Sequence, residues 1–209
     1  GASVARLGGD EFAVILQISD TDLEVVESWV SVMIAKIALP IETEMGPLNV
    51  TISAGVAVHD VGKQVANLEG AARKLMHRAD LAMYQAKKDG RNRYCWFDTA
   101  MEVEARLRRE MEAAIRKGLE RGEFSPHYEQ QVDLETGQLV GFEMLARWTS
   151  ADLGPVSPDI FIPVAENCGL IGALSESLIG RALEDAISWD KSLTLSVNIS
   201  PMQLRDPWF

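Results

Sequence analysis

The chain has 209 residues, 47% hydrophobic and 24% charged, which allows one large domain or two modest ones with buried cores. A formal charge of −11 excludes a general electrostatic grip on nucleic acid or an anionic membrane, so a phosphate-bearing ligand has to be held by metal ions and a few chosen basic side chains. The apolar runs fall well short of the roughly 20 residues of a spanning helix, and no secretory signal pattern opens the sequence.

Residues 6–17 read as strand, Gly-Gly turn, strand, and AVILQI has the continuous apolar character of a strand buried on both faces. Asp20 or Thr21 can cap a helix in which Val25, Trp29, Val32, Met33 and Ile37 recur at helical spacing until Pro40 ends it. Short strands come next around IETE and in NVTISAGVAVHD, where Val50, Ile52, Ala54 and Val56 share one face. A second amphipathic helix is predicted over about 68–87, with Leu75, Met76, Ala79, Met83 and Ala86 on its apolar side and Gly90 stopping it. YCWF at 94–97 closes this unit as a strand.

Residues 99–122 are rich in Ala, Glu and Arg, with Met101, Leu107, Met111, Ile115 and Leu119 at helical spacing. They predict a connecting helix whose C-terminal part packs on the second unit. Next come strand (HYEQQVDL), turn (ETGQ), strand (LVGFEMLARW), a Pro-flanked loop, a helix from Pro158 with Ser157 as its cap, a helix over about 174–189, and strand (LTLSVNIS). The order suits a first α/β unit over 1–98, the helix over 99–122, and the opening turns of a β/α barrel over 123–209. Cys95 and Cys168, with no CxxC or His-rich neighbourhood, read as buried thiols of a reducing, cytoplasmic compartment. The sequence begins Gly-Ala without Met and stops just after Pro-Trp, so we expect a segment of a longer protein, whose parent could be membrane-anchored through other segments.

In the turn Gly8-Gly9-Asp10-Glu11, glycines permit backbone angles and close approach that a side chain blocks, and two acids project beside that bare backbone. A phosphate can approach there with a metal between; the plainer alternative is a hairpin whose acids only solubilise the turn. In the second unit, Glu143, Leu145 and Arg147 fall on one face of an extended segment and Phe142, Met144 and Ala146 on the other. Asn198 points with the polar set of LTLSVNIS, and barrel sites sit at that end of the strands. Alone, Glu143 and Arg147 read more readily as a buried ion pair, and Asn198 as an asparagine closing a turn.

RLGGDEFAVIL, followed by ADLAMYQAKKDGRNRY at 79–94, resembles the signature of GGDEF domains, the diguanylate cyclases. The resemblance implies that Asp10 binds catalytic Mg²⁺ and helps deprotonate a 3′-hydroxyl and that Glu11 assists. It implies too that Gly8 and Gly9 pass the phosphates of GTP, and that Lys87 and Arg91 contact the triphosphate, for which an ammonium and a guanidinium fork are apt. The family's first metal-binding aspartate and its guanine-reading residues fall before Gly1, so this segment alone is expected not to make cyclic di-GMP. The aspartate of its inhibitory Arg-x-x-Asp falls at Ala2, so that site is expected to be absent unless Gly1 and Ala2 are not native.

Residues 124–132, GFEMLARW, PDIFIPVAENCGLI at 158–171 and LSVNISPMQL at 195–204 together resemble the N-terminal part of EAL phosphodiesterase domains, with the triplet here as Glu143-Met144-Leu145. That resemblance assigns Glu143 and Asn198 as ligands of catalytic Mg²⁺ or Mn²⁺ and Arg147 as a phosphate contact. Tyr128-Glu129-Gln130 replaces the family's Tyr-Gln-Pro, so Glu129 stands where an amide would touch the nucleotide, and a carboxylate there weakens ligand affinity. Met144 for alanine is mild if that side chain faces the helices. Glu166 matches a family glutamate and reads as structural, as do His77 and His127; Trp148 is the tryptophan nearest the site, with packing its plainer role. The expected function is metal-dependent hydrolysis of cyclic di-GMP to pGpG by the EAL unit, with the GGDEF unit binding GTP as regulator or slow cyclase. The alternatives are a cyclase working across a homodimer and a non-catalytic cyclic di-GMP receptor.

Overall fold

The computed structural model describes residues 1–18, 23–59 and 67–205; the expected cap at Asp20 or Thr21 lies outside them. The chain is mixed α/β and divides into two compact units, Gly1–Val103 and Glu104–Phe209.

In the first unit, β1 (Ala2–Gly8) and β2 (Glu11–Leu16) form an antiparallel hairpin. Helix α1 (Leu23–Ile37) comes after it, then the short hairpin β3 (Ile41–Thr43) and β4 (Gly46–Leu48). Strand β5 (Ala54–Val56) pairs parallel with β6 (Tyr94–Trp96), the two joined by helix α2 (Leu68–Lys88). Asn67 caps α2, its Oδ1 accepting from the Gly70 N–H at 3.0 Å. The core of this unit is Val26, Val30 and Ile34 of α1 against Leu16, Ile18, Ile52, Ala54, Val56, Tyr94 and Trp96. The Trp96 indole N–H also donates to Glu27 of α1 at 2.8 Å.

The structure departs from the sequence expectation at α1 and β2 of this unit and at the two cysteines of the chain. The buried stripe of α1 is Val26, Val30 and Ile34 rather than the set starting at Val25, because LEVVESWVSVMIAKI is apolar around most of its circumference and admits two stripes one residue apart. AVILQI is not buried on both faces: Phe12 and Ile15 are each 64% exposed. Among the described residues the β1–β2 pair carries no third strand, so a run apolar enough for a central strand stays open to solvent. Cys95 and Cys168 are half-buried free thiols rather than fully buried ones, and burial followed by the Asp89 carboxylate holds the Cys95 thiol above its usual value.

Helix α3 (Thr99–Glu120) crosses the boundary of the two units. In the second unit β7 (Phe124–Val132) and β8 (Leu139–Ser150) form a long antiparallel hairpin. Strand β9 (Gly154–Val156) adds to β8 within the Pro-flanked stretch read as loop, its Pro155 accommodated because β9 is an edge strand. Helices α4 (Pro158–Asn167) and α5 (Ile171–Ala186) then lead into β10 (Thr194–Val197), which pairs parallel with β8. A parallel β8–β10 pair joined through helices is the repeating step of a β/α barrel, and the four-stranded sheet ordered β10-β8-β7, with β9 also on β8, contains one such step. Ser157 takes the cap position of α4 by its backbone and Pro158 the first turn, but the serine side chain makes no capping hydrogen bond. Helix α5 starts three residues earlier than its periodicity suggested; Leu170 at its cap position offers no side-chain acceptor, so the sequence carries no start signal.

The core of the second unit lies between the sheet and these helices. Phe124 and Trp148 stack with ring centroids 5.0 Å apart, and Phe161 of α4 meets both edge-on at 5.5 and 5.7 Å. Met144, Ile115 of α3 and Leu174, Leu178 and Ala182 of α5 complete it, with Met111, Leu119, Leu195 and Val197 around them. Met144 thus faces the helices, as its tolerance required. Among the described residues no helix is long and apolar enough to cross a membrane.

Candidate functional site

The two candidate sites lie in different units. In the first, Gly8 ends β1, Gly9-Asp10 is the two-residue turn, and Glu11 opens β2. The register pairs Arg6 with Phe12 and Gly8 with Glu11, so Leu7 is an extra residue that bulges the strand. Gly9 has φ +53°, the left-handed region where a side chain is strained, which explains glycine at this turn. The Arg6 guanidinium folds back on the Gly9 carbonyl, with Nη2 at 2.6 Å and Nε at 3.1 Å, and lies 5.9 Å from the Phe12 ring centroid. The turn is therefore held by its own strand while Asp10 and Glu11 stay exposed. Lys87 sits in the last turn of α2, and Arg91 three residues beyond its end, both exposed. Gly90, Arg91 and Asn92 have φ of 107°, 59° and 50° in succession, and the Arg91 N–H donates to the Ala86 carbonyl at 3.0 Å. This left-handed run turns Arg91 out of the helix.

In the second unit the strand register assembles one polar face. Glu129 of β7 is the direct partner of Glu143 of β8, and Ser196 of β10 lies on the other side of Glu143. His127 pairs with Leu145 and Ser125 with Arg147, so Ser125, His127, Glu129, Gln131, Glu143, Arg147 and Ser196 share the face away from Met144 and Trp148. Asn198, just past β10, donates through Nδ2 to Glu143 Oε1 at 2.8 Å. Ser196 Oγ donates to Gln131 Oε1 at 3.1 Å, tying β10 to β7 across β8. Arg147 is half-buried and gives Nη1 to the neighbouring Ala146 carbonyl at 2.9 Å. Among the described ion pairs none joins it to Glu143, four residues away.

Other candidates divide by what they touch. Glu166 of α4 accepts from Ser200 Oγ at 2.6 Å, which fixes the segment after Asn198. Trp148 is buried in the core and its indole N–H donates to Glu123 at 3.1 Å. His77 and His127 are exposed. Two contributions were not legible in the motifs: the pairing of Ser196 with Gln131, visible only once β7 and β10 flank β8, and Glu123, which holds the start of β7 to the end of β8. The donor at Glu143 and the amide oxygen of Asn198 are hard ligands of the kind Mg²⁺ and Mn²⁺ take, so the residues present fit a divalent cation. A cation drawing on Asn198 Oδ1 replaces the hydrogen bond now made by Nδ2. Among the described residues no cluster of three or more His, Cys, Asp or Glu side chains is gathered for a metal.

Residues 1–93 match the family model described as "Diguanylate cyclase, GGDEF domain", and residues 112–209 match that of the EAL domain. An uncharacterized signaling protein of Caulobacter vibrioides is 38% identical over 205 residues, covering 97% of this chain and 24% of that protein. The bifunctional diguanylate cyclase/cyclic di-GMP phosphodiesterase MucR of Pseudomonas aeruginosa is 29% identical over 205 residues, covering 96% of this chain and 29% of that protein. The chain therefore spans about a quarter of the length of these relatives. Among solved structures, a PaMucR phosphodiesterase in complex with c-di-GMP aligns with 28% identity over 47% of this chain and 41% of that one, at a TM-score of 0.41.

Proposed function

Because the chain belongs to the tandem GGDEF–EAL proteins, we propose that it serves bacterial cyclic di-GMP signalling, and that net hydrolysis of cyclic di-GMP to linear pGpG by the EAL portion is its main activity. In this reading residues 123–209 belong to the EAL domain, 1–98 to the GGDEF domain, and 99–122 join them. The whole protein works in the cytoplasm, with GTP and cyclic di-GMP as ligands and a second copy as partner.

The observation that carries the reading is the Asn198–Glu143 contact of 2.8 Å on a polar sheet face that also holds Arg147. Mg²⁺ or Mn²⁺, when bound, supplies the Lewis acidity that activates water and stabilises the leaving 3′-oxygen. Glu143 and Asn198 hold that cation through oxygen. Arg147, farther along the same face, meets the phosphodiester with a guanidinium whose planar fork suits two phosphate oxygens. The hydrophobic layer of Met144, Trp148 and Phe161 behind the sheet keeps the strand carrying Glu143 and Arg147 in one register. In the GGDEF portion Asp10, assisted by Glu11, faces the metal and phosphates of GTP, Gly8 and Gly9 clear the approach, and Lys87 and Arg91 take the triphosphate. That unit acts as a GTP-binding regulator or slow cyclase.

The test is direct. The full-length protein with Mg²⁺ or Mn²⁺ converts cyclic di-GMP to pGpG, read by chromatography of the products, and Glu143→Ala abolishes conversion. Tight binding of cyclic di-GMP with no turnover under these conditions identifies a receptor instead and rejects hydrolysis.

A further inference from the structure

We propose that Glu129 makes nucleotide binding at the Glu143–Asn198 site conditional on a divalent cation. The inference rests on the ligand class proposed above and concerns how that site is controlled. Glu129 and Glu143 are direct partners across the β7–β8 ladder. Side chains so placed lie on the same face with Cβ atoms about 4.5–5.5 Å apart, and like charges in that position repel. Among the described residues neither carboxylate is ion-paired, and Asn198 gives Glu143 a neutral donor only. Arg147 lies two pairs farther along the face, opposite Ser125, with Nη1 on the Ala146 carbonyl.

A phosphodiester reaching this face without a metal meets two uncompensated carboxylates. With a divalent cation between them the same two groups become additional attraction for the cation, and the cation's charge is what the phosphate then meets. Cation and nucleotide therefore favour each other's binding, and the coupling is reciprocal. A neutral amide at position 129 removes one of the two carboxylates without changing the shape of the side chain, and with it that carboxylate's share of the coupling.

The experiment measures the affinity of cyclic di-GMP for the full-length protein by calorimetry, in EDTA and in Ca²⁺, for the wild type and Glu129→Gln. Binding of Mn²⁺ alone is followed in parallel by electron paramagnetic resonance. In the wild type, removal of the cation weakens nucleotide binding by about tenfold or more, whereas in Glu129→Gln the same removal has an effect about threefold or more smaller, chiefly because binding in EDTA tightens. Mn²⁺ alone binds more weakly to Glu129→Gln than to the wild type. Equal cation dependence in the two proteins overturns the role of Glu129 and leaves the ligand reading standing. If neither protein binds cyclic di-GMP with or without cation, the ligand reading falls and this inference with it.

Discussion

Gly55 is the most crowded of the described glycines of the first unit: a Cβ there would lie 1.8 Å from the Ala79 carbonyl oxygen and 2.3 Å from the Met83 nitrogen of α2. Both are backbone atoms, so helix and strand must part to admit even a methyl group. Gly55→Ala is expected to cost about 1–3 kcal/mol, read as a lower urea midpoint at unchanged slope. Tyr128 is a second residue with a measurable signature. Its hydroxyl donates to Asp185 of α5 at 2.6 Å, and its ring meets Trp189 and Phe142 with centroids 5.0 and 6.4 Å away. Burial, and then the Asp185 hydrogen bond and charge, push its pKa from 10.0 up to about 12. Because the folded value is the higher one, the phenol's contribution to stability is complete below pH 10 and is lost as pH rises through about 12. Tyr128→Phe is expected to cost about 1–2 kcal/mol at neutral pH and to flatten that alkaline decline in pH-dependent thermal unfolding. Glu123 behaves in the opposite sense. The Trp148 indole first, and then the Ala151 N–H and Arg121, hold its carboxyl below the usual range, so its contribution is present above the ordinary carboxylate pKa and is lost as pH falls through the folded value.

Among the elements, α3 shows how one helix divides its work. Its second half buries Ile115, with Met111, Ala114 and Leu119 half-buried beside it, against Phe124 and Trp148. Its first half leaves Leu107 55% exposed, although Leu107 and Ile115 occupy the same apolar spacing in sequence. Ile115→Ala should cost about 2–5 kcal/mol by leaving a cavity in that core, whereas Leu107→Ala should change stability by less than about 0.5 kcal/mol. Equal effects in chemical denaturation would contradict this division. Strand β8 shows the same economy across its two faces. Phe142, Met144, Ala146 and Trp148 turn to the helices, and Glu143 and Arg147 turn to the polar side. The alternation seen in GFEMLARW became structure because a two-residue period allows no other distribution once one face is buried.

At the scale of the molecule, two compact units with separate cores should not melt as one. Calorimetry is expected to require more than one transition, with Ile115→Ala lowering only the transition of the unit that contains it. The sequence by itself determined most element types and the two site motifs: strand alternation, helix periodicity and the Gly90 stop are local properties that backbone sterics and burial enforce wherever they occur. It also placed Glu143 with the polar residues of its strand, since strand parity alone decides that. The remainder was set by neighbours distant in sequence. The buried stripe of α1 depended on which of two neighbouring apolar stripes met β5 and β6. The exposure of β2 depended on the absence of a covering strand among the described residues. The opposition of Glu129 to Glu143 depended on a bulge: Val132 pairs with Leu139, but Val140 is an extra residue and Gln131 pairs with Gly141. Counting back from the turn without that bulge sets Glu129 against Phe142, on the apolar face. One inserted residue reverses every side chain beyond it, because the pleat has a period of two, and only the packed hairpin decides where the insertion falls.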